Sequence, residues 1–161
     1  MAIWQFDLEL IPSSVVVNAP DRINSAITDN GLDTKHWWIV NQPDNSYADM
    51  IAGAFPLLDS WSLEILRWGN EDDVLIEAFV TDGQLEGISV RLDARNTNRE
   101  SIAKIIKLVN ELDCYVCLIE TREIVIPDIE SLLLYLVKSK AAEFACSSMK
   151  FIKLLACKNA T

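Results

Sequence analysis

The sequence predicts an α+β fold: a mixed, largely antiparallel sheet, built from a meander over residues 61–93 plus an N-terminal strand, with C-terminal helices packed on one face in two layers. Three observations carry this. Val74, Ile76, Ala78 and Val80 alternate with Leu75, Glu77, Phe79 and Thr81, and Ile88, Val90 and Leu92 alternate with Ser89, Arg91 and Asp93, the period of half-buried strands. Residues 3 to 11 alternate in the same way, with Trp4, Phe6, Leu8 and Leu10 on one side and Gln5, Asp7 and Glu9 on the other. Finally, Thr97, Asn98, Arg99 and Glu100 match a capping box, with Thr97 as the cap, ahead of Ile102, Ile105, Ile106, Val109 and Leu112 at helical spacing.

The chain is 161 residues long, one domain's length (1–161), and half its residues are hydrophobic. Its first residues lack the basic start of a signal peptide, and apolar runs such as 132–137 are far too short to span a bilayer. A cytoplasmic protein is expected, and reduced thiols would fit that compartment.

In chain order, Pro12 and two serines end or bend the first strand, and Pro20 to Asn30 reads as a short helix closed by Asn30-Gly31. Asp33 to Ser60 breaks every period and reads as a long loop, with an extended piece at Trp37 to Val40 and a helical turn from Tyr47 to Ala54. Trp61, Leu63 and Ile65 keep a two-residue period, but Trp68 has the opposite parity, so that strand must bulge or end near 66–68. At Thr81-Asp82-Gly83 a two-residue loop would put Ile88 opposite Glu77 and mix the faces. A three-residue bulged loop pairs Ile76 with Ile88, Val74 with Val90 and Asp73 with Arg91, and is the expected form.

The helix after Thr97 links the strand ending near Asp93 to the apolar run Cys114 to Ile119, a strand–helix–strand unit suited to parallel strands. That run should be an interior strand, with a further short strand at 124–126. Pro127-Asp128 opens a helix with Ile129, Leu132, Leu133, Leu136 and Val137 inward; Ser139-Lys140 interrupts it, and a last helix carries Phe151, Ile152, Leu154 and Leu155.

Reactive patterns are sparse. No phosphate-binding glycine motif occurs, and no catalytic, cofactor-binding or metal-ligating residue is assigned. The Cys114/Cys117 spacing falls on a strand, which sends the two thiols to opposite faces and leaves them as small buried hydrophobes. His36 lacks a cysteine in an activating context. Glu71-Asp72-Asp73 is dense enough for a divalent ion but reads more simply as a solvated turn. Arg91, Asp93 and Arg95 could bind a carboxylate or pair among themselves.

Charge is more informative. Residues 1–96 carry 16 acidic and 5 basic side chains, a net of −11, whereas residues 97–161 carry 8 and 9, a net of +1. Such a surface repels nucleic acid and anionic membranes and steers a basic partner towards it. In an extended segment one of Trp37 and Trp38 must point outward, as interface anchors do. The expected partner-binding residues are Trp37, Trp38, Glu71, Asp72 and Asp73.

The run from Trp61 to Asn70, the strand Val90 to Arg95 and the tail after Ile126-Pro127 resemble a group of small, uncharacterised bacterial proteins grouped with immunity proteins of polymorphic toxin systems. The resemblance covers roughly the last hundred residues, and its motifs are structural. It implies a cytoplasmic protein that occludes a toxin by binding it, and carries over no site residues. The expected function is thus a non-enzymatic module for a basic protein, such as a toxin domain. The alternatives are a small-ligand-binding or hydrolytic domain with loop 33–60 as a lid, and a homo-oligomer that hides apolar surface between subunits.

Overall fold

The computed structural model describes residues 2–18, 27–28 and 31–147. Its strands are β1 (Gln5–Pro12), β2 (Ile27–Thr28), β3 (Gly31–Leu32), β4 (Leu57–Leu58), β5 (Ile65–Gly69), β6 (Val74–Thr81), β7 (Gln84–Asp93), β8 (Cys114–Leu118) and β9 (Ile124–Val125). Its helices are α1 (Ser13–Asn18), α2 (Lys35–Val40), α3 (Tyr47–Ala54), α4 (Arg99–Glu111) and α5 (Ile129–Lys138), and residues 140–147 are also helical. Seven strands form one sheet in the order β4-β5-β6-β7-β1-β8-β9, and β2 pairs with β3 separately. The α+β class with helices layered on a largely antiparallel sheet is as expected from the sequence.

Every ladder among the described residues is antiparallel. β7 and β8, the two strands joined through α4, run in the same direction but do not touch, because β1 lies between them and pairs with both. The expected parallel relation therefore holds in direction without a parallel ladder.

One face of the sheet meets α4 and α5. Phe6, Leu8, Leu10, Ile76, Ile88, Val90 and Leu92 pack there against Ile102, Ile105, Val109 and Leu132. Val137, expected inward, is exposed, because Leu132 and Leu136 alone set the buried stripe of α5. The helix cap is Asn98, not Thr97: its side-chain oxygen accepts from the N–H groups of Glu100 and Ser101 at 2.9 and 3.0 Å, while Thr97 Oγ1 donates to the Asp73 carbonyl.

The β6–β7 hairpin corrects the expected register. Thr81 pairs with Gln84 across a two-residue loop, with Asp82 and Gly83 both left-handed (φ 51° and 77°), and the pairing then slips between Phe79 and Val80. Glu86 is the extra residue, so Ile76 faces Val90 and Val74 faces Leu92. Alternation correctly demanded one inserted residue, but the bulge sits inside β7, leaving Asp-Gly free to make the preferred tight turn. Arg91 consequently lies opposite Leu75 and Asp7 rather than Asp73.

The bulge also explains why 33–60 is not a loose loop. Thr34 Oγ1 lies 3.2 Å from the Glu86 carbonyl, Lys35 pairs with the Glu86 carboxylate, and the Gln42 amide both accepts from Leu85 N–H and donates to Leu85 C=O, at 2.9 and 2.7 Å. A side-chain amide thus stands in for a neighbouring strand. Residues 35–40, expected extended, are helical; Tyr47–Ala54 is helical as expected. Of the predicted helix 20–30, residues 27–28 form β2 and the rest lies outside the described residues, as does the last predicted helix beyond 147.

Trp61 and Leu63 do not belong to β5, which starts only at Ile65. A turn, Ile65 N–H to Ser62 C=O, precedes it, and the buried Trp68 dictates which side of β5 faces inward. The strand ends at Gly69, whose φ is +103° and where a Cβ would lie 2.0 Å from the Val74 carbonyl oxygen.

Two glycine substitutions should therefore act in opposite senses. Gly69→Ala is expected to cost at least about 1–3 kcal/mol from its backbone conformation alone, whereas Gly53→Ala, in exposed α3 with open space around it, should gain about 0.5–1 kcal/mol. Urea unfolding midpoints check both signs.

Candidate functional site

The acidic end of the sheet is built around one guanidinium. Arg67, in β5, donates through Nη1 to the Asp59 carbonyl (3.3 Å), through Nη2 to Glu71 Oε1 (2.6 Å) and through Nε to Glu77 Oε1 (3.1 Å). The β4–β5 connection and the β5–β6 turn are thus held to one side chain. Alternation places Arg67 opposite Glu77 in the ladder, and Glu71 is brought back by the turn, in which Asn70 Oδ1 accepts from Asp72 N–H at 2.8 Å. Arg67 keeps its charge firmly, above all through its bond to Glu71.

Residues 57–83 carry seven acidic side chains and this one arginine. Asp59, Glu64, Glu71, Asp72 and Asp82 are exposed, so the negative potential faces solvent. Among them stand Trp61, 81 % exposed, and Leu63, fully exposed.

Of the residues expected to bind a partner, Glu71 and Asp72 are available at the surface. Asp73 is half-buried and structural: its Oδ2 accepts from Ser101 Oγ at 2.8 Å, tying the turn to the first turn of α4. Trp37 and Trp38 are buried at 7 % and 1 % exposure and cannot serve as outward anchors. In a helix adjacent residues diverge by about 100°, so Trp38 joins the principal core while Trp37 packs with Ile11, Val15 and Cys117 in a separate, smaller cluster. Among the described residues the exposed tryptophan is Trp61, which its alternation with Leu63 and Ile65 had assigned to a half-buried strand. No periodic signal marks it; the clue was the conflict in parity with Trp68.

The second face of the sheet is partly covered by α1 and α2, and there Gln5, Asp7 and Glu9 of β1 are polar while Ile11 is apolar. Asp7 pairs with Arg91 at 3.3 Å. Asp93 is buried and chelated by Arg95, whose guanidinium lies 4.2 Å from the Trp4 ring, which in turn stacks on Phe144. The Arg95 bond holds the Asp93 carboxyl below its ordinary range. The row Arg91, Asp93, Arg95 is thereby paired internally rather than presented to a ligand.

Glu9 is the exception. It lies between Ser89 and Cys117 in the ladders, and its Oε1 is 3.2 Å from Thr34 Oγ1. Burial pushes its carboxyl up to about 8, with the Thr34 bond opposing and the Asp7 charge adding to the shift. Gly87 makes room for it, since a Cβ there would stand 3.2 Å from Glu9 Oε1 and 3.0 Å from Thr34 Oγ1. The single Thr34 proton can serve either Glu9 or the Glu86 carbonyl. A protonated Glu9 resolves the conflict by donating to Thr34, which then donates to Glu86.

The arrangement offers little for catalysis. His36 is exposed on α2 and lines none of the three described hollows, of about 360, 510 and 170 Å³. Burial pushes the Cys114 and Cys117 thiols up to about 12 and about 11, and they sit on opposite faces of β8. Among the described residues no three His, Cys, Asp or Glu side chains are placed to hold a metal ion, and no helix is long and apolar enough to cross a membrane. Segment 33–60, a lid in the alternative reading, contains α2 and α3 and is tied to β7 through Gln42.

Glu9 gives a pH signature. Because the folded state holds a proton that an unfolded carboxyl releases near 4.5, stability should fall as pH rises from about 4.5 to about 8 and then level off. Glu9→Gln keeps the acceptor for Thr34 and removes the penalty. The variant is expected to be more stable at pH 8, by up to a few kcal/mol, with a flatter profile across that window in thermal melts.

With this geometry established, comparison with family models, with curated proteins and with solved structures finds no match to the chain.

Proposed function

We propose that the chain is a non-enzymatic protein-binding module for a basic partner, acting in the cytoplasm in the manner of an immunity protein that occludes a toxin. The observation that supports this reading is the charge distribution: a net of −11 over residues 1–96 against +1 over the remainder. Fields of this kind raise association rates and reject acidic competitors. The immunity form of the reading rests on the resemblance carried by Trp61 to Asn70 and Val90 to Arg95.

The purified chain, used as bait in extract from its native cell at low ionic strength, should retain a basic protein identifiable by mass spectrometry. Reconstituted from purified components, that complex should form about tenfold more slowly or worse when salt is raised from low to physiological strength. If the partner is a toxin, coexpression with the chain should restore the growth it arrests. Recovery of the bait alone at low salt, or an association indifferent to salt, would refute the reading.

A further inference from the structure

We propose that the basic partner docks on the β4–β5 connection, burying Trp61 and Leu63 in an apolar pocket rimmed by its own lysines or arginines. This rests on the basic-partner reading above and assigns it a place. Trp61 and Leu63 are 81 % and fully exposed, two positions apart in one short connection. Nothing in the fold uses them: the core closes without either side chain. A tryptophan beside a leucine in water is the kind of side-chain pair that contributes heavily when an interface covers it.

Arg67 makes the patch continuous with the acidic turn. Its bonds to the Asp59 carbonyl and to Glu71 hold the Trp61-bearing connection and the Glu71-Asp72 turn to one guanidinium. That guanidinium is spent on Glu71 and Glu77 and is itself largely buried, so it offers a partner no free positive charge. Asp59 and Glu64 flank Trp61 within the connection, and Glu71 and Asp72 lie at the other end of β5, all four exposed.

The same imbalance selects the occupant. A second copy of this chain meeting the patch through a two-fold axis would bring two seven-to-one acidic surfaces together, which like-charge repulsion disfavours. An anionic bilayer is repelled for the same reason. A cationic rim around an apolar hollow satisfies both halves of the patch.

Defined probes test this on the intact chain: a fluorescein-labelled peptide of alternating lysine and leucine, and a lysine–serine peptide of equal charge, titrated at low and physiological salt. The lysine–leucine peptide should bind more tightly than the lysine–serine one. Its affinity should drop roughly tenfold or more in W61S/L63S. In E71Q/D72N both affinity and salt sensitivity should fall. I126S/V137S, which removes two apolar side chains exposed elsewhere, should bind as the parent does. All these positions lie at the surface, and unchanged thermal melts would show that the variants fold. If E71Q/D72N weakens binding and W61S/L63S does not, the docking point is wrong while the basic-partner reading stands. If neither peptide binds at low salt, that reading falls and the docking point with it. Self-association in sedimentation that W61S/L63S abolishes would make the occupant a second copy and overturn the proposal.

Discussion

The fold depends on the placement of β1 in the interior of the sheet. The first strand in the chain is paired on both edges, with β7 and with β8, so its backbone is fully committed and both of its faces carry cover. Its even residues, Phe6, Leu8 and Leu10, complete the layer under α4 and α5. Its odd residues then require a cover of their own, which is what draws α1 and α2 onto the other face and encloses Ile11, Trp37 and Cys117. The price is Glu9, a carboxyl largely removed from water on the second face of β1; the protein meets it with Thr34, with the missing side chain of Gly87 and with a raised proton affinity.

The same placement separates the two ends of the sheet. Over residues 97–161 the charge is nearly balanced, and exposed pairs such as Arg99–Glu130 and Lys104–Glu100 are screened by solvent. At the β4–β6 end a single arginine faces seven acids. Arg67 is more than a surface pair, because its guanidinium is partly buried and satisfies a backbone carbonyl and two carboxylates at once. It organises the acidic end without neutralising it. Acidic charge and exposed apolar surface thus occur together along the β4–β6 edge of the sheet, where the proposed partner would dock.

How much was legible in the residues varies by element. Long, strongly periodic segments were readable: β6 and β7 from alternation, α4 from its spacing, α5 from Pro127-Asp128, and the opposed cysteines of β8 from an offset of three. Local chemistry misled where two groups could do the same work. Asn98 and Thr97 can both cap, and Asn98 has the reach to satisfy two N–H groups. Parity demanded an inserted residue in the β6–β7 hairpin, but whether it sits in the turn or at Glu86 depends on Thr34, Lys35 and Gln42, which arrive from far along the chain. The site was half visible: Glu71 and Asp72 announce themselves by composition, whereas Trp61 hid behind its resemblance to a strand residue and Trp37-Trp38 behind their resemblance to anchors.

By itself the sequence determined the class of fold, the uneven charge and the inert setting of Cys114 and Cys117, because each of these follows from residue type and short-range spacing. Only the tertiary structure decided which tryptophan meets solvent, where the bulge falls and that Glu9 is largely desolvated. Those outcomes rest on contacts between residues tens of positions apart, and local periodicity holds no information about which distant segment will arrive to cover a given face.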